Sequence, residues 1–235
     1  MLQRILPHCV AVAEARDDPP EARLYPEEAA LVSRAEDGRR REFTTVRHCA
    51  RQAMARLGVP TGPVLPGRHG APRWPGRTVG SLTHCDGYRG AALARDTDVL
   101  MLGIDAERHA PLPPGILEAI ALPQELRRVS DHRARHGAVH WDRLLFSAKE
   151  AVYKAWNPHT GQRLEFEEAD IAFDPDAGTF TARLLAPPPA QLLAPPPAQL
   201  PAPPTGAPAL PDRLDGRWTV DEGLILTAIA VPTPR

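Results

Sequence analysis

Val99-Leu-Met-Leu-Gly-Ile-Asp-Ala-Glu107 and, further along, Leu144-Leu-Phe-Ser-Ala-Lys-Glu-Ala-Val-Tyr-Lys-Ala-Trp156 carry the reading of this chain. The first is an apolar run that ends in alternation. A period of two puts Asp105 and Glu107 on one face and Ile104 and Ala106 on the other, the signature of a strand. The second repeats its apolar residues at helical spacing. Leu144, Leu145, Ala148, Val152 and Ala155 fall on one side of a helix expected from Trp141 to Trp156, with Asn157-Pro158 ending it. An acidic strand end and a Lys–Glu helix are therefore the two pieces around which the rest is arranged.

Outward from them the same two periods recur. Upstream, strands are expected at Thr78–His84, Gly90–Ala94 and Val99–Asp105, the first pair joined at Asp86-Gly87. Before these comes a helix from Arg39 to Leu57, apolar at Phe43, Val46, Ala50, Met54 and Leu57 and stopped by Gly58. Pro26-Glu27-Glu28 opens a shorter helix, with acids near its positive end, and Ile5–Ala13 reads as a first strand. Gly58–Gly80 is a compact loop around Trp74. Downstream of the acidic strand, loop and short helix run from Pro111 to Ser130. After the Lys–Glu helix, strands are expected at Ala169–Phe173, Thr179–Leu185, Arg217–Val220 and Leu224–Ala230, the last two joined at Asp221-Glu222-Gly223. Strand, helix and strands thus occur twice. This predicts an α+β fold of two similar halves, residues 1–98 and 99–235.

Composition limits the function classes. The chain has 235 residues, 43% of them hydrophobic, and a net charge of −1, so a general nucleic-acid binder or a polybasic membrane anchor is not expected. No apolar run reaches the roughly 18 residues of a membrane span. The start, MLQRILPHCVAVAEA, faintly imitates a signal peptide, but Pro7 and His8 break its apolar run. Three cysteines (Cys9, Cys49, Cys85) with no CxxC spacing predict free thiols in a reducing cytoplasm. Two skews remain. Of 28 prolines, 11 lie between Pro187 and Pro211, around the repeat LLAPPPAQ at 184–191 and 192–199. This predicts a low-complexity, polyproline-like insertion at about 186–211, without the flanking basic anchor of an SH3 ligand. The second skew is sharper: 26 of the 28 basic residues are Arg, and the only lysines are Lys149 and Lys154. Their survival marks a place where a guanidinium does not serve.

Four groups of residues carry possible chemistry. Asp105 and Glu107 repel each other unless a cation intervenes, and oxygen-only ligands suit a hard ion such as Mg²⁺; alone, a DxE at a strand end is equally a solvated acid pair. Glu150 and Lys154 are four apart on one helix face, with Lys149 and Tyr153 beside them. An ordinary Glu–Lys surface pair would tolerate Arg, and this chain offers Arg everywhere else. Arg39-Arg40-Arg41, Arg47 and Arg51 form a basic group suited to a phosphate monoester, although each arginine singly reads as a solvated charge. Thr83 and His84 end a strand just before a turn. Acids for one divalent ion, bases for several phosphates and an acid–base helix together describe transfer chemistry at a pyrophosphate. No GxxxxGK[ST] loop is present.

GSLTHCDGYRGAA (80–92), GIDAE (103–107) and LLFSAKEAVYKAW (144–156), with EFTTVRHCARQAMARLGVP (42–60) and GAPRWP (70–75), resemble the 4′-phosphopantetheinyl transferases of the Sfp/EntD-like group. The resemblance runs in order from about Leu2 to Val231, apart from the proline tract. It implies a cytoplasmic monomer whose two halves are related by a pseudo-twofold axis, with coenzyme A and Mg²⁺ (Mn²⁺ as a substitute) held between them. It implies transfer of the phosphopantetheine arm to a serine of an apo acyl or peptidyl carrier protein, without nucleic acid or membrane, for polyketide, non-ribosomal peptide, siderophore or fatty-acid synthesis. Carried over residue by residue, Asp105, Glu107 and Glu150 hold the metal against the pyrophosphate, and Glu150 is the base, directly or through a water. Lys154 balances charge or protonates the leaving group. Lys149 contacts phosphate, and Tyr153 the pantetheine side. Arg39, Arg47, Thr83 and His84 take the 3′-phosphate and adenosine end. Relatives usually carry lysine where this chain has Pro66, so either Arg68 or His69 supplies that charge, Arg68 being preferred, or the nucleotide end is bound more weakly here.

Overall fold

The computed structural model describes residues 1–185 and 211–234, without the side chain of Arg68. Strands and helices follow in the order β1 (Ala11–Ala15), α1 (Pro26–Leu31), α2 (Asp37–Leu57), β2 (Thr78–Cys85), β3 (Tyr88–Arg95) and β4 (Val99–Arg108). Then come α3 (Ile116–Ile120), α4 (Pro123–Arg135), α5 (Trp141–Thr160), β5 (Ala169–Asp174), β6 (Thr179–Leu184), β7 (Arg213–Asp221) and β8 (Leu224–Pro232). The fold is α+β, as expected. Its strands form two antiparallel sheets, β1-β3-β2 and β4-β8-β7-β6-β5. The chain leaves the first sheet at Arg95 and opens the second at Val99.

Each sheet carries one long helix. On the first, α2 buries Cys49, Ala50, Ala53 and Met54 against Ala13, Ala91 and Leu93. On the second, α5 buries Leu144, Leu145, Ala148, Ala151, Val152 and Ala155 against Ile171, Phe180, Leu214, Ile225 and Ile229. A third cluster joins the two sheets, with Tyr88 and Ala92 of β3 meeting Leu102, Ile104 and Ala106 of β4 and Leu226 of β8. The seam between β2 and β4 is closed by side chains rather than by a backbone ladder. Ser81 Oγ accepts the Ile104 N–H at 3.1 Å, and Thr83 Oγ1 accepts the Ala106 N–H at 2.9 Å. Buried β4 amides thereby find partners without fusing the sheets.

Gly103 sets how closely α5 lies on β4. A Cβ there would stand 2.0 Å from the Ala151 carbonyl oxygen and 2.7 Å from the Ala155 nitrogen, so only glycine allows this approach. The final hairpin turns through Glu222 (φ 48°) and Gly223 (φ 74°), the paired positive φ of a type I′ connection.

Two expectations shift. Ile5–Ala13 is not one strand: Leu2–Arg4 form a short 3₁₀ turn, and the strand begins only at Ala11. Leu2, Ile5 and Leu6 are apolar because they fill the junction between the sheets, and Pro7 cannot donate to a ladder. Nor does α5 stop before Asn157-Pro158. It continues to Thr160, where Gly161 adopts a left-handed φ of 67°, and Asn157 Nδ2 donates to the Gln162 carbonyl at 2.9 Å. The insertion expected at 186–211 lies outside the described residues except for Pro211. It connects β6 and β7, which pair directly.

Candidate active site

A cavity of about 610 Å³ is walled by α2, β2, the end of β4 and the outer face of α5. Asp105 and Glu107 of β4, Glu150, Tyr153 and Lys154 of α5, Arg39 and Arg47 of α2, and Thr83 and His84 of β2 all line it. The sequence positions separated by more than a hundred residues are thus gathered by two events: α5 settling on Gly103, and the hydroxyl seam holding β2 beside β4.

Asp105 is almost fully buried. Its Oδ1 receives the Lys154 ammonium at 2.6 Å and the Thr83 hydroxyl at 3.3 Å, while Oδ2 is buried with no hydrogen-bond partner among the described residues. Glu107 Oε2 receives Arg143 Nη1 at 2.9 Å. Burial pushes the Glu107 carboxyl above its ordinary range, aided by Asp105 and opposed by Arg143. Burial also raises Glu150, against the pull of Lys154 and with the push of Asp105. A half-buried carboxylate with raised proton affinity suits a general base.

Each acid of β4 therefore has its own cation, and among the described residues no three His, Cys, Asp or Glu side chains are drawn together tightly enough to hold a metal by themselves. The donors nevertheless fit a hard divalent ion. They are all carboxylate oxygens lining the same cavity, and the buried Asp105 Oδ2 is an acceptor that a cation would satisfy. Oxygens from a bound phosphate would complete the coordination.

The basic end is formed differently. Arg39 Nη1 donates to His84 Nε2 at 2.6 Å, and Glu42 lies 3.6 Å from Arg39 and 4.0 Å from His84 Nδ1. Burial lowers the His84 pKa, and Arg39 lowers it further, against the pull of Glu42. The Arg47 guanidinium lies 3.8 Å from the Phe43 ring centroid. Burial, against the pull of Glu28 and helped by Arg39, brings Arg47 down to about 10. His69, at a positive φ of 53°, and Pro66 also line the cavity. They belong to a tight loop closed by Gly67 N–H to Ala71 O at 2.6 Å and Arg73 N–H to Leu65 O at 2.8 Å. The Arg68 side chain lies outside the described residues.

One expected position is corrected, and one gains a further partner. Lys149 is not on the cavity. Its ammonium is buried on the opposite side of α5, 2.9 Å from Glu125 and bonded to the carbonyls of Phe166 (2.6 Å) and Ala169 (2.8 Å). A step from 149 to 150 rotates the direction by about 100° around a helix, so adjacent residues cannot share a face. Thr83 does line the cavity, but its hydroxyl is engaged by the Ala106 N–H and by Asp105. Its hydroxyl thus helps orient the Asp105 carboxylate from the cavity wall.

Other cavity residues escaped sequence reading: Leu31 and Val46, and Phe146, Asn157 and Pro158 of α5. Arg143 escaped it too, although it stands seven residues before Glu150, two helical turns along the same stripe.

Comparison with known proteins gives the family. The model of the 4′-phosphopantetheinyl transferase N-terminal domain matches residues 27–94, and that of the 4′-phosphopantetheinyl transferase superfamily matches 101–194. The 4′-phosphopantetheinyl transferase Svp of Streptomyces mobaraensis is 54% identical over 224 residues, 95% of this chain and 85% of its own length. This chain belongs to the 4′-phosphopantetheinyl transferase superfamily, of the Sfp-like type. The transferase PptT of Mycobacterium tuberculosis is 47% identical, covering 94% of this chain and 92% of its own. The transferase Npt of Nocardia iowensis is 44% identical, covering 98% and 99%. The two superfamily models meet between residues 94 and 101, where the chain crosses from the first sheet to the second. Among the described residues no helix is long and apolar enough to cross a membrane.

Proposed function

We propose that this chain moves the 4′-phosphopantetheine arm of coenzyme A onto a serine hydroxyl of an apo acyl or peptidyl carrier protein and releases adenosine 3′,5′-bisphosphate. The observation that carries the proposal is a single cavity with a carboxylate–lysine cluster at one place and an Arg–Arg–His group at another. A nucleotide with a pyrophosphate and a separate phosphate monoester needs that pairing. Asp105, Glu107 and Glu150 would hold Mg²⁺, which when bound offsets the charge of the pyrophosphate oxygens. Glu150 takes the proton of the attacking serine hydroxyl, and its raised proton affinity supports that role. The serine O–P bond forms as the pyrophosphate P–O bond breaks. Lys154 neutralises the leaving phosphate or returns a proton to it. Arg39, Arg47, His84 and His69 orient the 3′-phosphate end, with Tyr153 toward the pantetheine.

We further read residues 1–98 and 99–235 as the two halves of a monomeric cytoplasmic enzyme serving polyketide, non-ribosomal peptide, siderophore or fatty-acid synthesis. The test is incubation with coenzyme A, Mg²⁺ and purified apo carrier domains, followed by intact-mass measurement. The carrier should gain one phosphopantetheine arm. No gain, with an established transferase succeeding alongside, overturns the proposal.

A further inference from the structure

Glu107 has a partner that the transfer chemistry leaves unexplained. Arg143, in the first turn of α5, spreads one guanidinium over three acceptors of the chain leaving β4. Nη1 donates to Glu107 Oε2 at 2.9 Å, Nε to the Ala110 carbonyl at 3.2 Å and Nη2 to the Pro111 carbonyl at 2.8 Å. The Arg143 and Glu107 side chains are 18% and 20% exposed, so the pair is largely shielded from water.

We propose that Arg143 is the positioning residue for Glu107, fixing which carboxylate oxygen is left for a divalent ion. The inference rests on the metal-assisted reading given under the proposed function. Two like charges at alternate positions of one strand separate unless each is held. Lys154 holds Asp105, and Arg143 holds Glu107. Both cations come from α5, eleven residues or about three turns apart. With Oε2 engaged, Oε1 is the oxygen of Glu107 that remains for an ion. The planar fork matters as well as the charge, because it ties the carboxylate to two carbonyls at fixed angles. The metal wall is thereby joined to the loop that follows β4.

A built-in control lies next door. Asp142 grips the same loop through the Leu112 N–H at 2.9 Å, pairs with Arg133 at 3.0 Å and accepts the backbone N–H of Arg143, and among the described residues no hydrogen bond or ion pair joins it to Glu107. Outer partners of metal ligands typically contribute about 10–100-fold in ion affinity. In the CoA-loaded full chain, Mn²⁺ titration followed by the EPR signal of the free ion should show Arg143→Gln weakened by about 10–100-fold. The half-saturating Mg²⁺ concentration should rise in parallel, while KM for the carrier stays unchanged. Asp142→Asn should lower the melting temperature with a clearly smaller loss of ion affinity than Arg143→Gln. Wild-type ion affinity in Arg143→Gln overturns the inference alone, as does an equal loss in Asp142→Asn. If Arg143→Gln does not fold, Arg143→Lys decides: weakened Mn²⁺ binding supports the inference and wild-type binding overturns it. A wild-type chain that binds no Mn²⁺ with CoA overturns the metal-assisted reading, and the inference with it.

Discussion

On the inner side of α5, Lys149 places its ammonium between Glu125 and the carbonyls of Phe166 and Ala169. On the outer side, Lys154 places the same group 2.6 Å from Asp105, at the wall of the cavity. Lys149 is 2% exposed and has three protein acceptors for its three N–H donors. The Lys154 side chain is 26% exposed, and among the described residues its hydrogen bond goes to Asp105 alone. One site is closed and saturated. The other keeps donors free for a ligand. The difference explains why an Arg-rich chain retains both lysines. A planar fork cannot serve three acceptors arranged around a point, and it cannot release a proton. It also shows that the lysine skew marked two demands rather than one active site.

Glu125 makes the inner site possible. It is 1% exposed, with Oε2 accepting the Leu122 N–H at 2.7 Å and Oε1 the Ile171 N–H at 2.7 Å. Burial pulls the Lys149 ammonium down, and Glu125 pulls it back up. Such a pair costs much to bury and still more to break on one side only.

The largest expected effect tests the outer site. Lys154→Met should reduce kcat by about 10²–10⁴-fold, with the far-UV circular dichroism spectrum unchanged. A fully active variant would erase the distinction between the two lysines. Next, Lys149→Met should remove about 3–5 kcal/mol of stability by leaving Glu125 unpaired, read from urea unfolding. Turnover per folded molecule should stay near wild type, and a selective loss of kcat would return Lys149 to the chemistry. Gly103→Ala should cost about 1–3 kcal/mol through overpacking. Because it lifts α5 off β4, it should lower stability and kcat together, unlike either lysine change. The smallest effect lies at the helix start. Burial raises Asp142, but N–H bonds from Leu112 and Arg143, with Arg133 nearby, hold it below its ordinary 3.8. A depressed carboxyl stabilises above its unfolded pKa and loses that contribution as pH falls through the folded value. Asp142→Asn should therefore lower the melting temperature by the equivalent of about 1 kcal/mol at neutral pH. The gap should close in acid below 3.8; a gap that widens there would refute the charge assignment.

Most of the architecture was legible before any coordinates. The period of two around Asp105 and the helical period around Glu150 identified β4 and α5, and Asp86-Gly87 and Glu222-Gly223 marked real turns. What failed had local causes. Pro158 was read as a stop, yet a proline in the last turn forfeits one hydrogen bond, and the helix runs on to Thr160. Ile5 and Leu6 read as strand because apolar content alone does not say which surface it will fill.

The residue types alone determined the chemistry on offer: alternating acids on a strand, a Glu–Lys pair one turn apart, and arginines on a separate helix. Periodicity is local, so these facts survive without a fold. Partnership is not local. That Lys154 meets Asp105, Lys149 turns inward to Glu125, Thr83 steadies a carboxylate and Arg143 holds Glu107 was decided by tertiary structure. Each of these contacts joins residues separated by 22 to 49 positions and depends on α5 closing over Gly103, which no pattern along the chain can report.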